Sequence, residues 1–353
     1  TMAKEKYVAY VGTYTHTNSV GIHVYDVNPE TGVFCEKAVA PINNPSYVTI
    51  SKDGKHLYSI EDEGVAAFNI LPDGNLEKVN QNWIGGMRGD YIDVDSKNRF
   101  LFVGGFHDGR VTMMKLAEDG SIGNVAFGLF HQSISLGGND RHLDHAKVTC
   151  VKLTPDEKYL CAVDIGINQI KVYRIDYNLG HLTLVDIVRP ELDAGVREVQ
   201  FSKDGKFMYT LTSFNNSIEV YSYKDEDDEP VFERIQTISV LKKADESSAA
   251  SAMAFTDDEK YLFVSVDGMN ATSWLLRDEK TGKLSHAGQT TNSGEFPKDI
   301  AVLPGNKFLA VINHDTNELR TFRVDYKDGY ALMVNPPVKL SKGNSIIIHK
   351  ITG

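Results

Sequence analysis

Cysteine is scarce in this chain of 353 residues. The three present, Cys35, Cys150 and Cys161, lie far apart with neither a CxxC pair nor Cys/His ligand spacing. That argues against a disulfide framework or a structural zinc site and fits a reducing compartment. Long apolar runs are also missing. No stretch approaches the roughly eighteen apolar residues of a membrane-spanning helix, and the opening TMAKEKYVAYVGTYT has no apolar segment of signal-peptide length, so a cytoplasmic protein is expected. Positive charge is in deficit, with 37 Lys and Arg against 48 Asp and Glu, a net charge of −11. Such a surface repels phosphate backbones and anionic membranes, and neither is an expected partner. Among short motifs, no glycine-rich phosphate loop, nicotinamide fingerprint or nucleophile elbow stands in a convincing context, so no cofactor is implied. With 41% hydrophobic and 24% charged residues, the composition is that of a globular chain rather than a disordered one.

What the sequence does contain is a repeat. A turn, a basic residue and a short apolar strand recur as SKDGKHLYSI (51–60), DSKNRFLFVG (95–104), TPDEKYLCAV (154–163), SKDGKFMYTL (202–211), TDDEKYLFVS (256–265) and LPGNKFLAVI (303–312). Between Lys55, Arg99, Lys158, Lys206, Lys260 and Lys307 the spacings are 44, 59, 48, 54 and 47 residues, which is the size of a propeller blade. A strand precedes each turn (SYVTIS, YIDVDS, CVKLTP, EVQFSK, AMAFTD, DIAVLP) and two more follow, alternating with period two. The N-terminal YVAYVGTYT and GIHVYDVNPETGVFCEKA form a seventh unit without its opening strand, which NSIIIHKI (344–351) can supply. The expected fold is therefore all-β, a seven-bladed β-propeller in one domain, residues 1–353, closed by pairing of the two chain ends. An insertion is expected at about 128–147, and the acidic run Asp225 to Glu229 reads as a solvated outer turn.

In such a fold, the loops entering the first strand of each unit and those joining its second and third strands gather at one mouth. The first group includes Ser46, Asp90, Tyr91, Thr149, Arg197, Glu198, Ser251, Lys298 and Asp299. The second includes His107, Asp164, Ser213, Asn215, Asp267 and His314. Arg197 and Lys298 suit a carboxylate or phosphate, so an anionic or polyhydroxylated small molecule is the expected ligand. His142 and His145 form an HxxH in the insertion. No third ligand accompanies them, and an acid/base role suits them better than a metal.

YVGTYT, NPSYVTISKDGKHLYSIED with GVAAF after it, TPDEKYLCAVDIGINQIKVYRID and AGVREVQFSKDGKFMYTLTSFNNSIEVY together resemble the seven-bladed lactonase family across essentially the whole chain. That family includes propeller-type 6-phosphogluconolactonases and fungal muconate-lactonizing enzymes. The resemblance implies a histidine before the fourth unit's first strand, an arginine in the next unit and a glutamate after it. Those positions hold Thr149, Arg197 and Ser213 here, and a further family arginine aligns with Lys298. Threonine and serine do not accept protons near neutral pH, so the base must come from elsewhere. Glu198, His145 and His142 are the candidates for proton transfer beside Arg197. Lys298, His107, Tyr91, Ser213, Thr149 and Asp164 are those for substrate contact. The expected activity is hydrolysis of a sugar-acid lactone, placing the chain in carbohydrate metabolism. The alternatives are isomerase, lyase or lactonizing chemistry on a small carboxylate, and binding without turnover.

Overall fold

The computed structural model describes residues 5–132, 145–242, 247–292 and 294–351. Among these there is no helix, and the strands form seven antiparallel sheets. The reason is local. In four of the six repeat turns a hydroxyl donates to an aspartate that caps the turn: Ser51 to Asp53 at 2.6 Å, Thr154 to Asp156 at 2.6 Å, Ser202 to Asp204 at 2.6 Å and Thr256 to Asp258 at 2.7 Å. The same carboxylates accept the N–H of Lys55, Lys158, Lys206 and Lys260. One residue in each turn needs a left-handed backbone, and two repeats fill that place with Gly54 and Gly205. The other two hold Glu157 and Glu259 there, at φ 59° and 55°.

Six sheets follow chain order from a leading strand, namely Val48–Ile50, Tyr91–Val94, Val148–Leu153, Val196–Phe201, Ala249–Phe255 or Pro297–Val302. The seventh runs Gly343–Ile351, Lys6–Thr13, Gly21–Asn28, Val33–Pro41, so both chain ends share one sheet, as the repeats imply. The insertion is shorter than expected. The strand Ile122–Phe130 continues through positions assigned to it, because Arg110 to Met113 pair with Phe130 to Phe127.

The chain divides into two compact units, one of residues 1–50, 68–78 and 240–353 and one of 51–67 and 79–239. In the first, strand Phe308–Asn313 is buried on both faces. Phe308, Ala310 and Ile312 join Tyr25, Phe34 and Leu340, while Leu309 and Val311 join Phe263, Trp274 and Phe322. Trp274 lies flat on Gly288, where any Cβ would come within 2.1 Å of the indole.

In the second unit the acidic run is more than a solvated turn. It forms the tip of the hairpin Ser217–Glu226 and Glu229–Ser239, with Asp227 and Asp228 left-handed at φ 50° and 62°. Asp225 takes Lys158 at 2.5 Å and the Tyr159 hydroxyl at 2.7 Å, Asp228 takes Lys158 at 2.8 Å, and Arg174 donates to the Asp228 carbonyl at 2.6 Å. The charges are placed to meet cations of the adjacent sheet.

Burial raises the Asp53 and Asp258 pKa values, yet hydrogen bonds from Ser51, Asn98 and Lys55 N–H, and from Thr256 and Lys260 N–H, outweigh it and hold both below the ordinary carboxylate value. Each therefore binds its proton more weakly folded than unfolded. The stabilisation is full above about pH 4 and is lost as pH falls through the depressed values. Asp258→Asn should lower the urea midpoint at pH 7, with the gap to wild type narrowing below about pH 4; a gap that stays constant in acid would contradict this account.

Candidate functional site

The side chains singled out by the repeats owe their placement to one irregularity. In Val148–Leu153, Val148 pairs Asp164 and Cys150 pairs Val163, so Thr149 is an extra, bulged residue. Arg197, Ser251 and Lys298 are the corresponding extra residues of their leading strands. Each stands five residues before the turn residue Thr154, Ser202, Thr256 or Leu303. A bulge leaves its residue out of the ladder and re-aims the side chain.

In the second unit the bulges bring Thr149, Arg197 and Ser213 together. The Thr149 hydroxyl donates to the Arg197 carbonyl at 2.5 Å, and Arg197 Nε donates to Ser213 Oγ at 2.6 Å. Ser213 is fully buried. Its backbone N–H reaches the Gly195 carbonyl at 2.8 Å, and the Asn168 amide oxygen accepts the N–H groups of Gly195 and Val196 at 3.1 and 3.2 Å. Gly195 is left-handed at φ 68°, with the Phe214 ring 2.3 Å from where a Cβ would sit, so no other residue fits. The guanidinium is thus fixed at backbone and side chain, a preorganised cation with several parallel donors.

Glu198 belongs to a different set. Its carboxylate accepts the Gln200 amide at 3.2 Å and lies within Coulombic reach of Cys150 and Lys152. Burial disfavours the Lys152 charge, but Asp93 and Glu198 more than offset it, so this lysine holds its proton more tightly than usual. Its ammonium lies 5.1 Å from the centre of the Tyr91 ring. Burial pushes the Cys150 thiol up to about 12, and it stays protonated and unreactive at neutral pH. Lys152, Asp93 and Cys150 were not among the residues picked from sequence. Asp93 and Lys152 were findable, since they occupy the same offset before the repeat turns in YIDV and CVKL.

Asp164 does not face a substrate. Fully buried, it accepts His131 Nδ1 at 2.8 Å through one oxygen and the N–H groups of Lys147, Gly166 and Ile167 at 2.8, 2.9 and 3.1 Å through the other. Tyr173 completes the chain with its hydroxyl 2.8 Å from His131 Nε2. Every oxygen of this carboxylate is occupied, which corrects its reading as a substrate contact. His107 and His145 are exposed on loops, and His142 lies outside the described residues. In the first unit, Ser251 donates to the Pro297 carbonyl at 2.6 Å, and the Lys298 ammonium stands 4.9 Å from the Phe296 ring centre.

Residues 8–347 match the family model of the lactonase, 7-bladed beta-propeller. The chain belongs to that family. This lactonase-family chain is 29% identical over 331 residues to a 6-phosphogluconolactonase of Bacillus subtilis, covering 92% of this chain and 93% of that one. It is 25% identical over 335 residues to a 6-phosphogluconolactonase of Formosa agariphila, covering 91% and 93%. Among solved structures, a Bacteroides fragilis protein matches with a TM-score of 0.88 at 25% identity over 99% of both chains. The Pseudomonas aeruginosa periplasmic gluconolactonase matches in fold with a TM-score of 0.89 at 24% identity, over 98% of this chain and all of that one.

The Arg197 clamp makes a quantitative prediction. Ser213→Ala should cost about 1–3 kcal/mol in denaturant unfolding, because it strips a partner from a charged donor. An unfolding free energy equal to that of wild type would show that Ser213 does not hold the arginine.

Proposed function

We propose that the chain hydrolyses the ring ester of a lactone derived from a polyhydroxylated acid, as its 6-phosphogluconolactonase relatives are named for doing. One observation carries the reading: Arg197 is held rigidly by Thr149 and Ser213 on a bulge of a leading strand. Lactone hydrolysis places negative charge on the carbonyl oxygen as water adds. A fixed guanidinium stabilises that charge, or anchors an anionic group of the substrate, without having to reorganise. A cytoplasmic setting belongs to the same reading, in keeping with three free cysteines.

Binding without turnover is the second reading. What favours it is that Thr149 and Ser213, at the positions of the family histidine and glutamate, are spent on holding Arg197.

A panel of aldonolactones, phosphorylated and not, separates the two. The expected result is hydrolysis above the spontaneous rate, with Arg197→Ala losing at least about tenfold in kcat/KM, a cost of about 1.4 kcal/mol in transition-state stabilisation. No turnover on any lactone would sink the hydrolase reading. A saturable rise in melting temperature without turnover would establish the binding one.

A further inference from the structure

The first unit holds a cavity of about 290 Å³ beside the strands Ala271–Arg277 and Leu284–Thr291. Its lining divides by burial. Val240, Ser273, Trp274 and Leu275 are 3% exposed or less, whereas Lys242, His286, Gln289 and Asp328 are open to solvent. All of them fall within residues 240–353, so the cavity belongs to one compact unit. Its size is that of the smallest ligand pockets, which begin at about 300 Å³.

Two buried groups of this lining lack a partner. The Trp274 indole N–H and the Ser273 hydroxyl make no hydrogen bond among the described residues, although buried groups of this kind are nearly always satisfied. A buried donor left unmet is costly, so a molecule that accepts from both gains what the folded chain alone forgoes. The indole is also held still. Phe263 stacks on it at 5.3 Å between ring centres. Gly288, which lines the same cavity, leaves the nitrogen edge uncovered, since a Cβ there would lie 2.4 Å from Nε1.

An indole N–H can only donate, so its missing partner is an acceptor. The Lys242 ammonium, on the exposed part of the lining, favours an acceptor with negative charge. A carboxylate meets both conditions, because its two oxygens take several donors at once. Val240 and Leu275 offer apolar surface to an aliphatic body. Asp328 narrows the choice further. It repels a second negative charge, which disfavours phosphate and dicarboxylates, and it suits an ammonium group where the ligand has one.

We infer that this cavity binds a small aliphatic monocarboxylate, whose oxygens accept from Trp274 Nε1 and Ser273 Oγ and whose charge is met by Lys242. A simple carboxylic acid and an amino acid present this same chemistry. The inference stands without the lactonase reading.

Trp274 itself reports on the site. The chain has two tryptophans and Trp83 is exposed, so Trp83→Phe leaves Trp274 as the only indole. Emission of that variant is titrated with 4-methylpentanoate, L-leucine, 4-methylpentanamide and inorganic phosphate, and the wild-type chain is titrated with the same four by calorimetry. A saturable change is expected with at least one of the two acids and with neither the amide nor phosphate. Tighter binding of 4-methylpentanoate marks a simple acid. Tighter binding of L-leucine, with the preference lost in Asp328→Asn, marks an amino acid, and either result supports the inference. Lys242→Met should weaken binding at least about tenfold and Ser273→Ala about threefold. Arg197→Ala should leave it unchanged. No saturable signal from either acid overturns the inference. So does an amide that binds as well as the acids, binding that Lys242→Met leaves within twofold, or binding that Arg197→Ala abolishes. If Trp83→Phe does not fold, calorimetry on wild type and Lys242→Met decides by the same criteria, since Lys242 is exposed and its loss leaves the core intact.

Discussion

Each leading strand with a bulge carries one residue more than its partner can pair. The displaced residue has no place in the ladder, and the adjacent leading strand presents backbone groups that also need partners. In the second unit Thr149 answers the Arg197 carbonyl. In the first, Ser251 answers Pro297, and Asn344, extra in the strand Gly343–Ile351, answers Ser46. Asp93 and Asp299 repeat the device in the opposite sense, accepting the N–H of Leu153 and of Ile346 at 2.9 Å. Sheets that share no ladder are joined by these single hydrogen bonds at their leading strands. The same register that joins them also sends Arg197 and Lys298 away from the sheet.

This double use explains why small hydroxyl residues stand where the family resemblance implies a histidine and a glutamate. Thr149 and Ser213 are short, and both direct their single hydroxyl at the same arginine. A longer acid or base there would have to leave that position to reach a substrate, and Arg197 would lose its support. A cation fixed in this way is preorganised, and preorganised charge contributes most where it does not have to move.

The fold was legible because its determinants are short-range. Ser/Thr-x-Asp turns wire themselves within five residues, and the bulged position keeps a constant offset from them, so Thr149, Arg197, Ser251 and Lys298 could be named from sequence. Longer-range chemistry was not legible. The Asp164 carboxylate was read as a substrate contact because its side-chain partner His131, itself held by the Tyr173 hydroxyl, lies 33 positions earlier in the chain. The run Asp225 to Glu229 looked solvated because Lys158, Tyr159 and Arg174, which receive it, lie more than fifty positions earlier. His314 appeared as an ordinary loop histidine, since only the distant Gly343 carbonyl decides which of its nitrogens keeps the proton.

The buried Asp164 carboxylate grips His131 on one side of the insertion and the Lys147 backbone on the other. Both ends of that segment are thereby tied to a single side chain of the underlying sheet. The entropy of closing a loop grows only with the logarithm of its length, so residues can be gained or lost between those two anchors at little cost to the sheet.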